Sequence, residues 1–184
     1  MKTMRKMAIV GCVACLSAGS ALATDWHVAT NGNDAADGTT WATAKLTIQA
    51  AVDAAGDGDT VWASNGVYAT GGGRVVVGTW PNRVAIDKPI TLQSANGPET
   101  TFIVGAGMRC AYVTNGATLS GFTLTNGATA LKMGPFDPGT VDHNGGGAAC
   151  EGGAVLTNCV LAGNWACERG GGSSGGLLDN CTLT

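Results

Sequence analysis

The sequence predicts an all-β fold: a solenoid of short parallel strands, capped at its N-terminal end by one short α-helix. Three observations predict it. Ala154-Val-Leu-Thr-Asn-Cys-Val-Leu-Ala-Gly-Asn164 is echoed by Gly176-Leu-Leu-Asp-Asn-Cys-Thr-Leu-Thr184, which places Asn158 and Cys159 on Asn180 and Cys181 at a period of 22. A period near 22 built from β-type residues is the signature of stacked coils. Glycine fills 30 of 184 positions while only 12% of residues are charged, too apolar for a disordered chain and without the strict period of collagen. Only Thr39 to Ala55 changes to helical spacing, with Leu46, Ile48, Ala51, Val52 and Ala55 on one face.

The elements follow in order. Lys2, Arg5 and Lys6 precede an apolar run from Met7 to Leu16, too short to span a bilayer, and Ala21-Leu-Ala23 closes a small-residue segment. This is the pattern of a signal peptide over 1–23. It predicts cleavage after Ala23, an exported or cell-surface protein, and a β-helix domain over 24–184. Ile9-Val-Gly-Cys12 is a lipobox-like alternative. No later segment is apolar for long enough to form a membrane helix. Without the leader, seven basic residues face thirteen acidic ones, a net charge of −6. No basic patch remains to displace counterions, which argues against a nucleic-acid partner.

Thr24 to Val28 reads as the first strand. Asn31 to Gly38 is an acidic turn in which Asn33, Asp34 and Asp37 supply oxygen ligands of the kind that hold Ca²⁺, although the EF-hand spacing is not met. In the helix that follows, Thr47 is placed to cap the start and Gly56 to occupy the position after the end. The helix covers the open end of the first coil, with Trp41 beside it. Thr60–Ala63, Val67–Tyr68, Val75–Gly78, Arg83–Ile86, Pro89–Ser94, Thr101–Val104, Ala111–Thr114 and Ala117–Thr125 read as short strands between Gly and Asn turns, with Gly71–Gly73 as a loop. The last of these aligns with the repeat: Leu119, Phe122 and Leu124 fall on Leu156, Cys159 and Leu161, and Gly121 stands where the later copies have Asn. Inward columns Leu119/Leu156/Leu178 and Phe122/Cys159/Cys181 follow, with Asn158 stacked on Asn180 as in an Asn ladder. The triplets Gly145–Gly147 and Gly170–Gly172 serve corners or close approach of coils. Of the five cysteines beyond the leader (Cys110, Cys150, Cys159, Cys167 and Cys181), stacked Cys159 and Cys181 read as buried thiols; a disulfide framework is the alternative. The chain stops at Thr184 inside a repeat, and further coils downstream are expected, because an open strand edge is a liability.

Trp26-His-Val-Ala-Thr-Asn-Gly-Asn-Asp34, Trp41-Ala-Thr-Ala44, Ile48-Gln-Ala-Ala-Val52, Gly58-Asp-Thr-Val61 and Gly66-Val-Tyr68 resemble the opening of secreted bacterial right-handed parallel β-helix proteins, the pectin-lyase-like superfold. Lys88-Pro-Ile-Thr-Leu92 with Asn96-Gly-Pro98 resembles their second coil. The resemblance implies the fold over nearly all of the chain beyond the leader. It does not select an activity, since this superfold hosts lyases, hydrolases, esterases and adhesins.

Residues for such chemistry collect in one place. Eighteen positions separate Gly127 from Gly145, whereas six separate Asn164 from Gly170, so the segment 128–144 carries an insertion. Insertions in solenoids lie on the surface, often on the binding face. Lys132, Asp137, Asp142 and His143 within it are the candidate catalytic residues, alongside the plainer reading of a solvated loop. A lyase needs a basic residue to take a proton, and a hydrolase needs paired carboxylates. Arg83 and Arg109 are candidates to contact acidic sugars. Trp80 and Trp165 are the tryptophans best placed to be exposed for stacking on sugars, while Trp26, Trp41 and Trp62 are expected to pack inward. No nucleophile elbow, phosphate loop or HExxH is present. The expected function is therefore an exported β-helix scaffold of adhesion type that contacts polysaccharide or cell-surface glycans. A polysaccharide lyase or glycoside hydrolase is the alternative.

Overall fold

A computed structural model describes residues 22–131 and 141–184. All three of its sheets are parallel. The first holds β1 (Asp25–Val28), β2 (Thr60–Ala63), β5 (Thr91–Ser94), β8 (Thr118–Ser120), β11 (Val155–Thr157) and β14 (Leu177–Asp179), in that order. The second runs β3 (Gly66–Tyr68), β6 (Thr101–Val104), β9 (Thr123–Thr125), β12 (Val160–Ala162) and β15 (Thr182–Leu183). The third runs β4 (Asn82–Ile86), β7 (Arg109–Val113), β10 (Ala148–Cys150) and β13 (Ser173–Ser174). Successive strands in the chain go to different sheets, and every ladder joins one coil to the next. This is a parallel β-helix with an N-terminal helix.

Burial explains why the strands are short yet specific. Most strands turn one or more apolar residues inward, and these residues stack from coil to coil. Val61, Leu92, Leu119 and Leu156 are in register and wholly buried. Tyr68, Ile103, Leu124 and Leu161 form a second column, and Val84, Ala111 and Ala148 a third. Each fully buried Leu or Ile contributes about 1.5–3 kcal/mol, and a slip of one residue would turn the whole set outward. The predicted Leu column is present, and Phe122 and Cys159 are buried one above the other, with Val160 N–H donating to the Phe122 carbonyl at 2.9 Å.

The corner after β8 shows why Gly and Asn alternate there. Gly121, Asn158 and Asn180 occupy the same position in three coils with φ of 75°, 53° and 50°. Only Gly and, at modest cost, Asn enter this left-handed region routinely.

The cap helix α1 (Ile48–Ala54) is shorter than its periodicity predicts. Thr47 caps it as expected, its hydroxyl accepting from Ala50 N–H. Leu46 lies outside the helix and is exposed, because the cap comes after it. Gly56 is not the predicted left-handed terminator: the helix ends on extended Ala55, and the Lys88 ammonium donates to the Ala55 carbonyl at 2.8 Å instead. Ile48, Ala51 and Val52 seal the core. Buried Gln49 accepts from Ala85 N–H at 2.8 Å and donates to its carbonyl, so a side-chain amide pairs with edge strand β4 as another strand would. Trp41 is half-exposed on a 3-10 turn and meets His27 edge-on at 4.5 Å, rather than packing inward.

Two other expectations change. Val75–Gly78 forms no strand; it belongs to a loop with Val75 and Val77 exposed. Strands β10 and β13, which follow the glycine triplets, have too little apolar pattern to be read from sequence. They pair because the triplets let backbones meet: Gly146 N–H donates to Gly170 O at 3.2 Å and Gly147 N–H to Gly171 O at 2.9 Å.

Candidate functional site

The loop between β3 and β4 and the insertion between β9 and β10 meet on one side of the coil. The first is tied down by Arg83, whose guanidinium donates to the carbonyls of Val104 (3.0 Å), Gly105 (3.1 Å) and Gly71. Its far end is held by Asp142. This carboxylate accepts from Thr79 N–H at 2.8 Å, the Thr79 hydroxyl at 2.8 Å and Trp80 N–H at 3.0 Å. Burial alone would raise the Asp142 pKa. The N–H groups of Trp80 and Thr79, the Thr79 hydroxyl and the nearby Arg109 charge outweigh it and hold the pKa below the usual carboxylate range. The Trp80 indole N–H then donates to the Ala128 carbonyl at 2.9 Å, joining the loop to the insertion.

These contacts build a groove lined by Thr79, Trp80, Gly107, Leu131 and Trp165 over a floor of Ala128–Ala130. Leu131 and Trp165 are exposed and Trp80 is half-buried. Gly107 joins the wall at φ 87°, a left-handed conformation that favours glycine. Trp165 is positioned by its own N–H, which donates to the Gly127 carbonyl at 2.8 Å. No charged residue lines this groove among the described residues. The two tryptophans singled out from sequence thus come together, although 85 positions of chain separate them.

A second pocket lies on the other side of the same loop, lined by Val77, Arg109, Tyr112, Ala149, Cys150 and Glu151, among others. The Tyr112 hydroxyl donates to Glu151 Oε1 at 2.5 Å, and Glu151 Oε2 accepts from the Thr114 hydroxyl and Asn115 N–H, each at 2.8 Å. Burial, reinforced by the Glu151 bond and charge, pushes the Tyr112 phenol up to about 12; the same bond, with those from Asn115 and Thr114, lowers Glu151. Glu151 is the only carboxylate among the described lining residues, where a glycosidase uses a pair. Its ionised form is stabilised, the reverse of what a general acid needs.

The sequence candidates distribute as follows. Lys132 and Asp137 lie outside the described residues. Asp142 and His143 are buried, not solvated: Asp142 anchors the loop, and the His143 carbonyl accepts from Glu168 N–H at 3.0 Å. Arg83 and Arg109 are not surface arginines either. Arg109 is 1% exposed and donates to the carbonyls of Asn144 and Gly145 and to Asn82 Oδ1, clamping adjacent coils. Burial lowers the pKa of both arginines. In the acidic turn, Asp34 accepts from Leu46 N–H, Thr47 N–H and the Thr47 hydroxyl. Asp37 accepts from Thr39 and Thr43, and Asn33 from Ala35 N–H. These oxygens accept from nearby donors, the arrangement of a hydrogen-bonded turn. Among the described residues no group of three or more His, Cys, Asp or Glu could hold a metal ion. The five cysteines are thiols in this structure; burial pushes Cys110 and Cys159 up to about 12 and Cys150 to about 11. Among the described residues no helix is long and apolar enough to cross a membrane.

No family model matches the chain, and no curated protein matches it.

Proposed function

We propose that this chain is an exported parallel β-helix scaffold, similar to the pectin-lyase-like proteins, that binds surface glycans through the groove containing Trp80 and Trp165. The observation that carries this reading is the convergence of Trp80 and Trp165 on one groove with no charge among its described lining residues, Trp80 held through its indole N–H on the Ala128 carbonyl and Trp165 through its backbone N–H on the Gly127 carbonyl. An indole offers a broad apolar face for the C–H surface of a sugar ring while its N–H stays satisfied. The small side chains of Ala128, Thr129 and Ala130 on the floor leave room for a flat ring, and the absence of charge among the described lining residues favours neutral sugars over uronates.

The reading is tested by affinity electrophoresis in gels containing neutral glucans, mannans or xylans, with pectin, alginate and chondroitin-type polymers for comparison. A neutral polymer should retard the wild type, and Trp165→Ala should weaken that retardation about tenfold, the loss of about 1.4 kcal/mol. Equal retardation of both proteins would remove the groove from consideration. Release of unsaturated or reducing ends from any polymer would replace the scaffold reading with the lyase or hydrolase alternative.

A further inference from the structure

Thr24 enters the fold through a single buried carboxylate. Its backbone N–H donates to Asp59 Oδ1 at 2.7 Å, and its carbonyl accepts from Thr60 N–H at 3.0 Å, which aligns β1 on β2. Asp59 is 8% exposed. Its Oδ2 accepts from the Trp26 indole at 2.9 Å and from Gly56 N–H at 2.8 Å. Three segments, the chain entry, the end of the cap helix and the start of β2, therefore meet at one negative charge. Among the described residues no cation lies within ion-pair distance of it: the nearby Lys88 ammonium is directed to the carbonyls of Ala55 and Asp53. Immediately upstream, Leu22 and Ala23 are exposed, and Ala21-Leu-Ala23 has the small-residue pattern of a processing site.

We infer that the Ala23–Thr24 bond is a processing site and that the α-ammonium released at Thr24 docks on Asp59, turning an amide hydrogen bond into an ion pair that locks the first coil. Hydrolysis by an export endoprotease that reads small residues adds one water across the bond. Ala23 leaves with a carboxylate, and the Thr24 amine takes up a proton near neutral pH. The single N–H that Thr24 offers Asp59 in the uncleaved chain becomes a charged group with three. The hydrogen bonds at this site already hold Asp59 ionised, so what cleavage adds is the Coulomb attraction between that carboxylate and a new positive charge at the Thr24 nitrogen. Processing would therefore stabilise the capped end as well as release it. The inference rests on Thr24, Asp59 and the cleavage pattern, not on the glycan reading.

The linkage has a definite sign. An unperturbed α-amine titrates at about 7.7–8.0. A carboxylate beside it raises that value in the folded state. The added stability is then fully present below about pH 7.7 and is lost as pH rises through the folded value. Lys88, Asp25, Asp53 and Asp57 are the other charged groups on the segments around this site. They are common to wild type and Asp59→Asn, so the difference between the two proteins isolates the pair.

The test uses the full chain with its leader, expressed in an exporting bacterial host. Intact mass and N-terminal sequencing of the exported product should show Thr24 as the first residue. Between pH 7 and pH 9.5 the wild type should lose about 2–4 °C of Tm that Asp59→Asn does not lose, the equivalent of about 1 kcal/mol for a chain of this size. Acetylation of the α-amine at neutral pH should be at least tenfold slower in the folded wild type than in the same protein in urea. This second comparison stands if Asp59→Asn does not fold. A mature N-terminus other than Thr24, or an α-amine that reacts equally fast folded and unfolded, would overturn the inference.

Discussion

Asn180 Nδ2 donates to Asn158 Oδ1 at 2.6 Å, one coil below. The same relation recurs nearer the N-terminal end, where Asn96 Nδ2 donates to Asn65 Oδ1 at 2.7 Å. That pair lies two residues further along its coils, whereas Gly121 holds the position of Asn158 and Asn180 in the preceding coil and has no side chain to extend their ladder. Asn thus does two things at Asn158 that no other residue does together: it tolerates φ of 53° and it bonds along the coil axis.

Substitutions at Asn158 should separate these two contributions. Asn158→Gly keeps the backbone and loses the ladder bond, a cost of about 1 kcal/mol. Asn158→Ala loses the bond and also strains the corner, adding about 1–2 kcal/mol. Urea unfolding midpoints should fall in the order wild type, Gly, Ala. An Ala variant as stable as the Gly variant would show that the left-handed corner carries no cost here.

The glycine triplets make a sharper comparison. A Cβ on Gly146 would collide with the Trp165 carbonyl oxygen, which no side-chain movement relieves, whereas a Cβ on Gly152 meets nothing within 4 Å. Gly146→Ala should destabilise the fold by about 1–3 kcal/mol or more, and Gly152→Ala should leave it within about 0.5 kcal/mol. Thermal unfolding of the two variants side by side checks this. Gly146→Ala should also disturb Trp165, and with it any glycan binding.

Asp142 should couple stability to acid. Its pKa is held below the usual range, so its stabilising contribution is present above about pH 3.9, the unfolded value, and is lost as pH falls through the lower folded value. Asp142→Asn replaces an acceptor oxygen with an NH₂ group against the donors of Thr79 and Trp80, and should cost about 3 kcal/mol at neutral pH. The variant should lose less Tm than the wild type between pH 6 and pH 3. Because Asp142 positions Trp80, the same variant should weaken retardation by the glycan that the wild type binds, with no contact of its own to the ligand.

The parts of this molecule that were legible in the sequence are those whose signal is local and repeated. Leu119, Leu156 and Leu178 align by simple period, and Asn158 over Asn180 follows from the same count. Thr47 was readable as a cap because its partner, Ala50 N–H, is three residues away. In the groove, Trp80 (before a proline) and Trp165 (in a short loop) were each legible as candidates for exposure, but Trp80 is half-buried and nothing marked the two as neighbours. The insertion was legible as an excess of residues; that its Asp142 would be buried as an anchor was not.

By itself, then, the sequence determined the architecture: stacked parallel coils, inward columns, corners at glycine, an Asn ladder, and one helix over the end. These follow from a pattern that each coil repeats, so the information lies within two dozen residues. Only the tertiary structure decided what the isolated polar residues do. Gln49 pairs with Ala85, 36 residues away, Asp59 with Thr24 at a separation of 35, and Asp142 with Thr79 at 63. A carboxylate or amide carries no mark of a partner that distant, and whether it is a solvated side chain or a buried anchor depends on which coils the fold brings together. The burial of Arg83 and Arg109 and the meeting of Trp80 with Trp165 are decided in the same way, by stacking that no local pattern encodes.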